Sequence, residues 1–469
     1  MKIAITGIAP LPVEEEQVTT GPGIRTWQFA KTISRAGNDV LLICLRNEGA
    51  YLKPPADKHL QSQPLDLITC HNLHYDVFTD GKTIANLIDA FKPAAIFGVA
   101  SLLPVATAVE LHDKAPVWAD FFGDPFTEIQ SKASIYPIAE SDTELFHVWK
   151  LYRSIISRAD KFSVVSNPQR FALMGQLAFC GRLNRHTPLY EFIHCIPCGF
   201  DPDSIPPVKP EPPFDTSYMP CFRGKVVGIN DFIILWIGSY NTWVDIDTLF
   251  KGLEKAMAQN PTIQYVSLGG GTPGYNEKVF QDFQMMVAKS HFRERFIFRG
   301  WIPNADLEAC FHEADIGINI DRPVYESEIG SRNRLLHLVA RGLPVVSTVL
   351  GEFENDLCTL GMLKECEVGN PDSLAQAILE CVEQDFTRTQ MLSSLERDII
   401  RDVYSFDATM ESCLEWINEV PESAPDNVLR TGERPYLNPI EHLINEPIQQ
   451  GQQSPSFLKD IYRKIFRDK

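Results

Sequence analysis

The stretch FIILWIGSYNTWVD, residues 232–245, passes from six consecutive apolar residues to a glycine and then to a largely polar segment. A short apolar run that ends at a glycine is typical of a strand in a parallel sheet, because such strands are covered on both faces. A helical pattern follows, with Asp247 near its start. The stretch therefore predicts one strand-turn-helix unit of an α/β fold.

The same unit recurs along most of the chain. In the first half, strands are predicted at residues 2–6, 39–45, 94–99, 117–122, 162–166 and 192–197. A second series follows at residues 232–238, 264–269, 296–300, 315–320 and 343–348. The two series predict two Rossmann-like, doubly wound domains that face each other across a cleft, with ligands bound beyond the carboxyl ends of the strands.

Changes in composition set the expected domain limits. Seven prolines lie between residues 201 and 228, too many for a helix or an inner strand. From about residue 421 the sequence is polar and proline-rich, with no sustained period. We therefore expect an N-terminal domain over 1–200, a linker over 201–228, a C-terminal domain over 229–420 and a polar tail over 421–469.

The charge and the cysteines limit the classes of function. The 469 residues include 43 Lys and Arg against 61 Asp and Glu, a formal net charge of −18, which disfavours nucleic acid as a partner. The eleven cysteines are scattered, no secretory signal is recognised, and no apolar stretch approaches the roughly 18 residues of a membrane span. We expect a cytoplasmic protein.

A glycine-containing loop, Gly21-Pro22-Gly23-Ile24-Arg25, stands between the first predicted strand and a helix. Glycines let the backbone approach a ligand, and a helix start offers free N–H groups to an anion or to sugar hydroxyls. An ordinary strand-to-helix turn explains the glycines equally well. The dinucleotide fingerprint needs a third glycine where Thr26 stands, so a nicotinamide cofactor is disfavoured.

Two carboxylates, Asp120 and Asp124, lie at the end of the fourth predicted strand among aromatic residues. Carboxylates accept hydrogen bonds from sugar hydroxyls, and aromatic rings cover the apolar faces of a sugar. Asp124 can instead cap the turn at Pro125. Asp120 is the better functional candidate.

Arginines precede a predicted helix in the second half of the chain. Arg332 and Arg334 follow Gly330 and Ser331, after the strand at 315–320. Arginines combined with the free amides of a helix start can bind a diphosphate. The alternative is that both side chains belong to a solvated helix face.

Together these motifs resemble glycosyltransferase family 4, whose fold is GT-B, and in particular a bacterial branch of it. The resemblance extends to about residue 420. Its motifs, in chain order, are GPGIR (21–25), Asp-x-x-x-Asp-Pro (120–125), Ser-x-x-Gln-Arg (166–170), Gly-Arg (181–182), Pro-x-Gly (197–199), Asn-x-Trp-x-Asp (241–245), SRNRLL (331–336) and Ala-x-Gly-Leu-Pro-Val-Val (340–346).

The resemblance implies a retaining, metal-independent glycosyltransferase of the hexosyltransferase type. Its nucleotide-sugar donor, a co-substrate rather than a cofactor, would bind the C-terminal domain, and the acceptor would bind the N-terminal one. Arg332 and Arg334 would neutralise the departing diphosphate, Glu328 would face the donor sugar, and Asp120 would complete the catalytic group. Trp301 and Ile302 would border the base, and further donor contacts are expected at Gly21, Gly23, Arg25, Asn241, Ser331 and His337.

The chain departs from the family pattern at two places. The usual glutamate that holds the ribose is replaced by His337, and the usual Arg and Lys after the strand at 232–238 are replaced by Ser239 and Val244. A catalytically inert nucleotide-sugar-binding or scaffold protein therefore stays open. Another GT-B enzyme, a phosphorylase or a sugar-nucleotide epimerase, stays open as well.

The last residues form a separate candidate site. Residues 456–469 place apolar side chains at helical spacing among five positive and two negative ones. Such a helix can lie on an anionic membrane or dock on the protein's own surface. A glycan or lipid-linked acceptor of cell-surface polysaccharide synthesis, implied by the resemblance, is compatible with peripheral contact at the inner face of the cell membrane.

Overall fold

The protein is described by a computed structural model that covers residues 1–14, 18, 20–51, 53–62, 65–205, 221–272, 276–383 and 399–426. Most prolines of the expected linker, residues 427–469 of the expected tail and the helix expected at 456–469 lie outside the described residues. The chain divides into two units. The first comprises residues 1–126, 142–196 and 410–469, and the second comprises 127–141 and 197–409.

The first unit is built on an eight-stranded sheet with the order β3-β4-β2-β1-β5-β6-β7-β8. Seven strands run parallel, and only β3 runs antiparallel to its neighbour β4. The strands are β1 Lys2–Ala9, β2 Asp39–Arg46, β3 His59–Gln61, β4 Ile68–Leu73, β5 Ala95–Gly98, β6 Val117–Phe121, β7 Lys161–Val164 and β8 Ile193–Cys195.

The second unit is built on a parallel six-stranded sheet with the order β11-β10-β9-β12-β13-β14. Four residues of β9 are fully buried, as expected for a strand covered on both faces. The strands are β9 Phe232–Ile237, β10 Ile263–Leu268, β11 Phe296–Gly300, β12 Ile316–Asn319, β13 Val345–Ser347 and β14 Leu363–Glu365.

Helices connect the strands of both sheets, and none of those described has the length and apolar content needed to span a membrane. They are α1 Gly21–Arg35, α2 Tyr75–Asp80, α3 Lys82–Phe91, α4 Leu102–Glu110, α5 Pro125–Ala133, α6 Ile138–Arg158, α7 Asn167–Phe179, α8 Ile246–Gln259, α9 Glu277–Ala288, α10 Asn304–Glu313, α11 Tyr325–Ile329, α12 Asn333–Ala340, α13 Glu352–Thr359, α14 Pro371–Glu383, α15 Ile399–Tyr404, α16 Phe406–Thr409 and α17 Glu411–Asn418.

Each unit also contains a segment that is distant in sequence from the rest of it. Residues 127–141, which include most of α5, belong to the second unit. The helix α17 belongs to the first unit, where the Trp416 ring lies 5.7 Å from that of Phe97 and 5.3 Å from that of Trp118. These ring contacts fix α17 against the core of the first sheet.

The predicted fold class, two doubly wound α/β domains, is confirmed. All eleven predicted strands are present, with ends shifted by up to three residues. Three strands were not predicted: β3, β4 and β14. Thr69, His71 and Asn72 interrupt the apolar pattern of β4, although His71 and Asn72 are buried.

Candidate functional site

Arg334 lies at the carboxyl end of β9, close to the start of α12. Its Nε donates to the carbonyl of Ile237 (2.6 Å), one terminal nitrogen donates to the carbonyl of Ser239 (2.6 Å), and the other donates to Oδ1 of Asn319 (3.0 Å). The guanidinium lies 3.5 Å from the centroid of the Trp236 ring. Burial lowers the pKa of Arg334 to about 10, yet it remains charged at neutral pH.

Aromatic stacking and hydrogen bonds between buried hydroxyls stabilise the turn after β9, next to Arg334. The Trp236 and Tyr240 rings stack at 4.6 Å, and the Tyr240 hydroxyl is hydrogen-bonded to the hydroxyls of Tyr265 (2.7 Å) and Ser267 (2.8 Å). A Cβ on Gly269 would lie 2.3 Å from the Gly238 carbonyl oxygen, so glycine is needed where the two turns approach. Arg334 is thus placed by rigid elements.

Arg332, one residue before α12, is surrounded by carboxylates. Its Nε donates to Oδ2 of Asp321 (2.6 Å), a terminal nitrogen lies 3.6 Å from Oε1 of Glu326, and Nε lies 3.9 Å from Oε1 of Glu354. Burial opposes the charged form, but Asp321, Glu354 and Glu326 outweigh it and raise the pKa of Arg332. In this arrangement Arg332 neutralises protein carboxylates.

Three oxygens of this cluster lack hydrogen-bond partners within the described part of the chain: Oδ1 of Asp321, Oγ of Ser327 and Oε2 of Glu354. Each of these residues is at least 98% buried. Burial raises the pKa of Glu354 to about 7; Arg332 opposes this rise and Asp321 adds to it. Unpartnered buried oxygens and a displaced carboxylate pKa are typical of a functional site.

The segment at 127–141, also part of the second unit, contacts the same end of the sheet. Thr127 Oγ1 donates to Oε2 of Glu326 (2.8 Å), and Ser131 Oγ donates to Oγ1 of Thr242 (2.9 Å). Sequence reasoning missed these residues. The only signal was three hydroxyl side chains at wide spacing after the Asp124-Pro125 turn, Thr127, Ser131 and Ser134, and this pattern is not specific.

His337 lies on α12, one turn after Arg334. Its Nδ1 is 3.2 Å from a terminal nitrogen of Arg341, and its Nε2 is buried without a partner among the residues described. Burial, assisted by the positive charge of Arg341, lowers the pKa of His337 to about 3. The imidazole is therefore neutral near pH 7 and can form one hydrogen bond to a ligand hydroxyl.

The remaining predicted donor residues of the second unit differ in exposure. Glu328 and Trp301 are exposed, whereas Ile302 and Ser331 are half-buried. Asn241 is half-buried and accepts a hydrogen bond from Nδ2 of Asn276 (2.6 Å). Trp301 after β11 and Glu328 on α11 are therefore accessible to a ligand.

In the first unit, Asp120 and Arg25 form a fully buried ion pair. Arg25 donates from Nε to Oδ2 (3.0 Å) and from a terminal nitrogen to Oδ1 (2.7 Å) of Asp120. Asp120 also accepts from Ser163 Oγ (2.6 Å) and from the Ala100 N–H (3.3 Å). With both side chains at 0% exposure, the pair fastens α1 to the sheet.

Gly23, close to the start of α1, has a packing role. Thr20 Oγ1 accepts the Gly23 N–H (3.2 Å) and caps the helix. A Cβ on Gly23 would lie 2.2 Å from the Pro10 carbonyl oxygen, so only glycine fits this position. Gly21 is the first residue of the helix and is half-buried.

Asp124 caps the turn at Pro125, one of its two readings from the sequence. Its Oδ1 accepts the Phe126 N–H (2.9 Å), and its Oδ2 accepts from Nε2 of Gln176 (3.3 Å). This turn leads into α5, whose third residue, Thr127, donates to Glu326 beside Arg332. The aromatic residues around Asp120 likewise have packing roles, since Phe121 stacks at 4.5 Å on Tyr152.

Residues 231–384 match the family model of glycosyl transferases group 1. The matched span contains Arg332, Arg334 and His337. The second unit thus contains a group 1 glycosyltransferase domain. The match confirms the predicted enzyme class; among curated proteins, no sequence matches the chain.

Solved structures similar to this glycosyltransferase share its fold over most of the chain. The sucrose-phosphate synthase of Thermosynechococcus elongatus is 16% identical, with a TM-score of 0.64 over 89% of this chain and 98% of that one. The α,α-trehalose 6-phosphate synthase of Burkholderia multivorans is 11% identical, with a TM-score of 0.60 over 89% and 96%. Anabaena HepE in complex with UDP and glucose is 13% identical, with a TM-score of 0.57 over 89% and 100%. These likenesses establish the GT-B fold.

Proposed function

We propose that the protein is a retaining, metal-independent glycosyltransferase that transfers a sugar from a nucleotide-sugar to a glycan or lipid-linked acceptor. The observation that carries this proposal is the position of Arg334 within the group 1 domain. A rigidly held guanidinium at a helix start, beyond the carboxyl end of a central strand, is suited to a diphosphate. Stabilising charge on a departing diphosphate is work that a metal ion does in other enzymes.

We propose different roles for the two arginines. Three of the five N–H groups of Arg334 have protein partners, which leaves two for phosphate oxygens. Arg332 is engaged by Asp321 and lies beside Glu326. Arg334 would therefore supply the charge at the diphosphate, and Arg332 would position the start of α12.

Other residues of the second unit and of the start of α1 would contact the rest of the nucleotide-sugar. His337 would bind a ribose hydroxyl through Nε2, and Trp301 with Ile302 would border the base. Glu328, which is exposed, would face the donor sugar. Asn241, Ser331 and the α1 start at Gly21 and Gly23 would complete the contacts.

In the first unit, we propose that Asp120 is a positioning residue, which supports catalysis indirectly by fixing the side chain of Arg25. Both oxygens of the Asp120 carboxylate accept hydrogen bonds from protein donors, and its side chain is fully buried. By holding Arg25 it would fix α1 and the glycine-containing loop that precedes it. The N-terminal domain over 1–200 would bind the acceptor.

The proposed setting is cell-surface polysaccharide synthesis in the cytoplasm, at the inner face of the cell membrane. Residues 456–469 would supply peripheral contact, because five of their side chains are positive and two are negative. Nucleic acid is not a proposed partner.

Two observations favour a second candidate, a nucleotide-sugar-binding protein without transferase activity. Arg332 is occupied by carboxylates, and a neutral His337 stands where the family carries a glutamate. Such a protein would bind a nucleotide-sugar and release neither sugar nor nucleotide.

Thermal unfolding against UDP, GDP, dTDP, ADP and their sugar conjugates, with EDTA or with a divalent metal, tests the donor site. UDP comes first because the similar HepE structure contains it. A ligand at about a hundred times its Kd adds roughly 2.7 kcal/mol and raises the midpoint by several degrees. We expect one nucleotide to raise it equally with and without metal. No shift with any nucleotide would contradict the donor-site assignment.

A further inference from the structure

Each unit contains a pair of cysteines whose thiols are hydrogen-bonded to each other. In the first unit the pair is Cys44 and Cys70, on the neighbouring strands β2 and β4. In the second unit it is Cys221, which lies before β9, and Cys310 on α10. All four thiols are free. Thiols in contact form a disulfide when the backbone holds them in place and an oxidant can reach one of them.

The backbone at Cys221 is fixed against the last turn of α10 by one carboxylate. Glu313, the last residue of α10, accepts the N–H groups of Cys221, Phe222 (2.7 Å) and Arg223 (2.7 Å). The Glu313 carbonyl accepts from Nε of Arg223 (3.1 Å). Cys310 precedes Glu313 by three positions, which places both side chains on one face of the helix. The contact between the thiols of Cys221 and Cys310 therefore rests on a fixed backbone.

Exposure distinguishes the two thiols of this pair. Cys221 is half-buried, whereas Cys310 is 2% exposed. Burial, to which the Cys221 thiol and the Glu313 carboxylate add, raises the pKa of Cys310, so this thiol stays protonated near neutral pH. A small disulfide in solution therefore meets Cys221 first. Cys310 is enclosed beside it, in position to complete a disulfide bond.

The pair in the first unit lacks such access. Cys44 is 0% exposed and Cys70 is 8% exposed, and both belong to inner strands of the eight-stranded sheet. In the register of β2 and β4, Cys70 lies opposite Leu42 and Cys44 lies opposite Asn72. Burial raises the pKa of Cys44 as well. These two thiols are in contact but shielded, so they provide a control within the same molecule.

We propose that Cys221 and Cys310 form a reversible disulfide in the presence of a low-molecular-weight disulfide such as oxidised glutathione. The Cys221 thiolate attacks one sulfur of oxidised glutathione, whose S–S bond breaks. The glutathione thiolate that leaves takes up the proton that Cys221 had lost. The Cys310 thiol then gives its proton to the second glutathione and displaces it from the Cys221 sulfur. Two cysteine thiols are oxidised, and one oxidised glutathione is reduced to two molecules of glutathione.

The disulfide ties the chain at the entry to the second unit to α10. Cys221 directly follows the prolines of the expected linker. Two residues later, Arg223 contacts Oδ2 of Asp315 (2.7 Å), which also accepts the N–H of Ile233 (2.6 Å) in β9. The bond closes a loop from residue 221 to residue 310 that contains β9, β10 and β11. A cross-link over so long a loop restricts the unfolded chain, so oxidation stabilises the second unit.

Mass spectrometry of the full-length protein tests the proposal. The reduced protein is incubated with oxidised glutathione, its remaining thiols are alkylated, and it is digested without reduction. Chymotrypsin cuts after aromatic residues and so separates Cys221 from Cys195 and Cys198. The variants are Cys221→Ser and Cys310→Ala, and the control is Cys358→Ser, a half-buried cysteine on α13.

Thermal unfolding before oxidation, after it, and again after dithiothreitol measures the stabilisation. Neither this measurement nor the digest requires a nucleotide or turnover, so the result is independent of the proposed glycosyl transfer. Oxidation should raise the midpoint of the unaltered protein and of the control by several degrees, and dithiothreitol should reverse the rise. Neither Cys221→Ser nor Cys310→Ala should gain stability on oxidation.

In the digest of the unaltered protein we expect one linked pair of peptides, which contain Cys221 and Cys310. Cys44 and Cys70 should be alkylated. Glutathione that stays on Cys221 would overturn the proposal, as would alkylation of both Cys221 and Cys310. Linkage of Cys44 to Cys70 at an equal rate would contradict the argument from exposure.

Discussion

The Arg25–Asp120 pair of the first unit and the Arg332–Asp321 pair of the second are both buried, but their surroundings differ. Both oxygens of Asp120 are hydrogen-bonded, to donors from Arg25, Ser163 and Ala100. In the second pair Oδ1 of Asp321 has no partner in the part of the chain that is described.

The charge balance differs as well. Arg25 forms a two-bonded ion pair with Asp120, whereas Arg332 lies close to three carboxylates, those of Asp321, Glu326 and the perturbed Glu354. Breaking a buried pair whose oxygens are all hydrogen-bonded is strongly destabilising, whereas several carboxylates crowded together with unbonded oxygens are typical of functional sites. The comparison supports our proposal that the first pair holds structure and that the second serves ligand binding.

The largest expected effect on stability is that of Asp120→Ala. Removing the carboxylate takes away the acceptor of two hydrogen bonds from the buried Arg25, so the free energy of unfolding should fall by about 3–5 kcal/mol. Urea unfolding measures the change, and Asp113→Ala, at an exposed position, is the control. If Asp120→Ala unfolded like the unaltered protein and yet had no turnover, the carboxylate would be catalytic rather than structural.

A smaller effect is expected from the pH dependence of Glu354. Its folded pKa of about 7 lies above the unfolded value of about 4.3, so the folded state retains a proton that the unfolded state has lost. The stability that the proton on Glu354 contributes is therefore lost as the pH rises from about 4.3 to about 7. Relative to the unaltered protein, Glu354→Gln should gain on the order of 2 kcal/mol between about pH 5 and pH 8.

Denaturant unfolding at several pH values measures this gain, and Glu365→Gln, at an exposed carboxylate, is the control. Parallel curves for Glu354→Gln and the unaltered protein would show that Glu354 has an ordinary pKa. That result would contradict the claim that burial in the cluster around Arg332 raises the pKa of Glu354.

The smallest expected effect is that of His337→Ala on nucleotide affinity. Loss of one neutral hydrogen bond should weaken binding about three- to tenfold. Because the pKa of His337 is about 3, its contribution should not change between about pH 5 and pH 8. Calorimetric titration measures the affinity, with His291→Ala as an exposed control. A contribution that disappeared below about pH 6.5 would mean that the imidazole is charged by protonation there.

The sequence predicted the fold better than the site, for physical reasons. Continuous apolar runs such as 232–237 reflect burial on both faces and are visible locally. The pairing of Arg25 with Asp120 joins residues 95 positions apart, and no local pattern specifies it. The arginines at 332 and 334 were found from their motif, but their separate roles depend on β9 and on the carboxylates of Asp321, Glu326 and Glu354. Assignment of residues 127–141 to the second unit likewise depends on tertiary packing.

The measurement that tests the central claim most directly is release of nucleotide from a nucleotide-sugar by the unaltered protein and by Arg334→Ala. It uses the nucleotide that raises the unfolding midpoint, with EDTA present and Arg299→Ala as an exposed control. The account predicts release by the unaltered protein and the control, and release about 10²–10³-fold slower in Arg334→Ala. Equal rates in all three proteins, or binding of the nucleotide-sugar with no release by the unaltered protein, would contradict it.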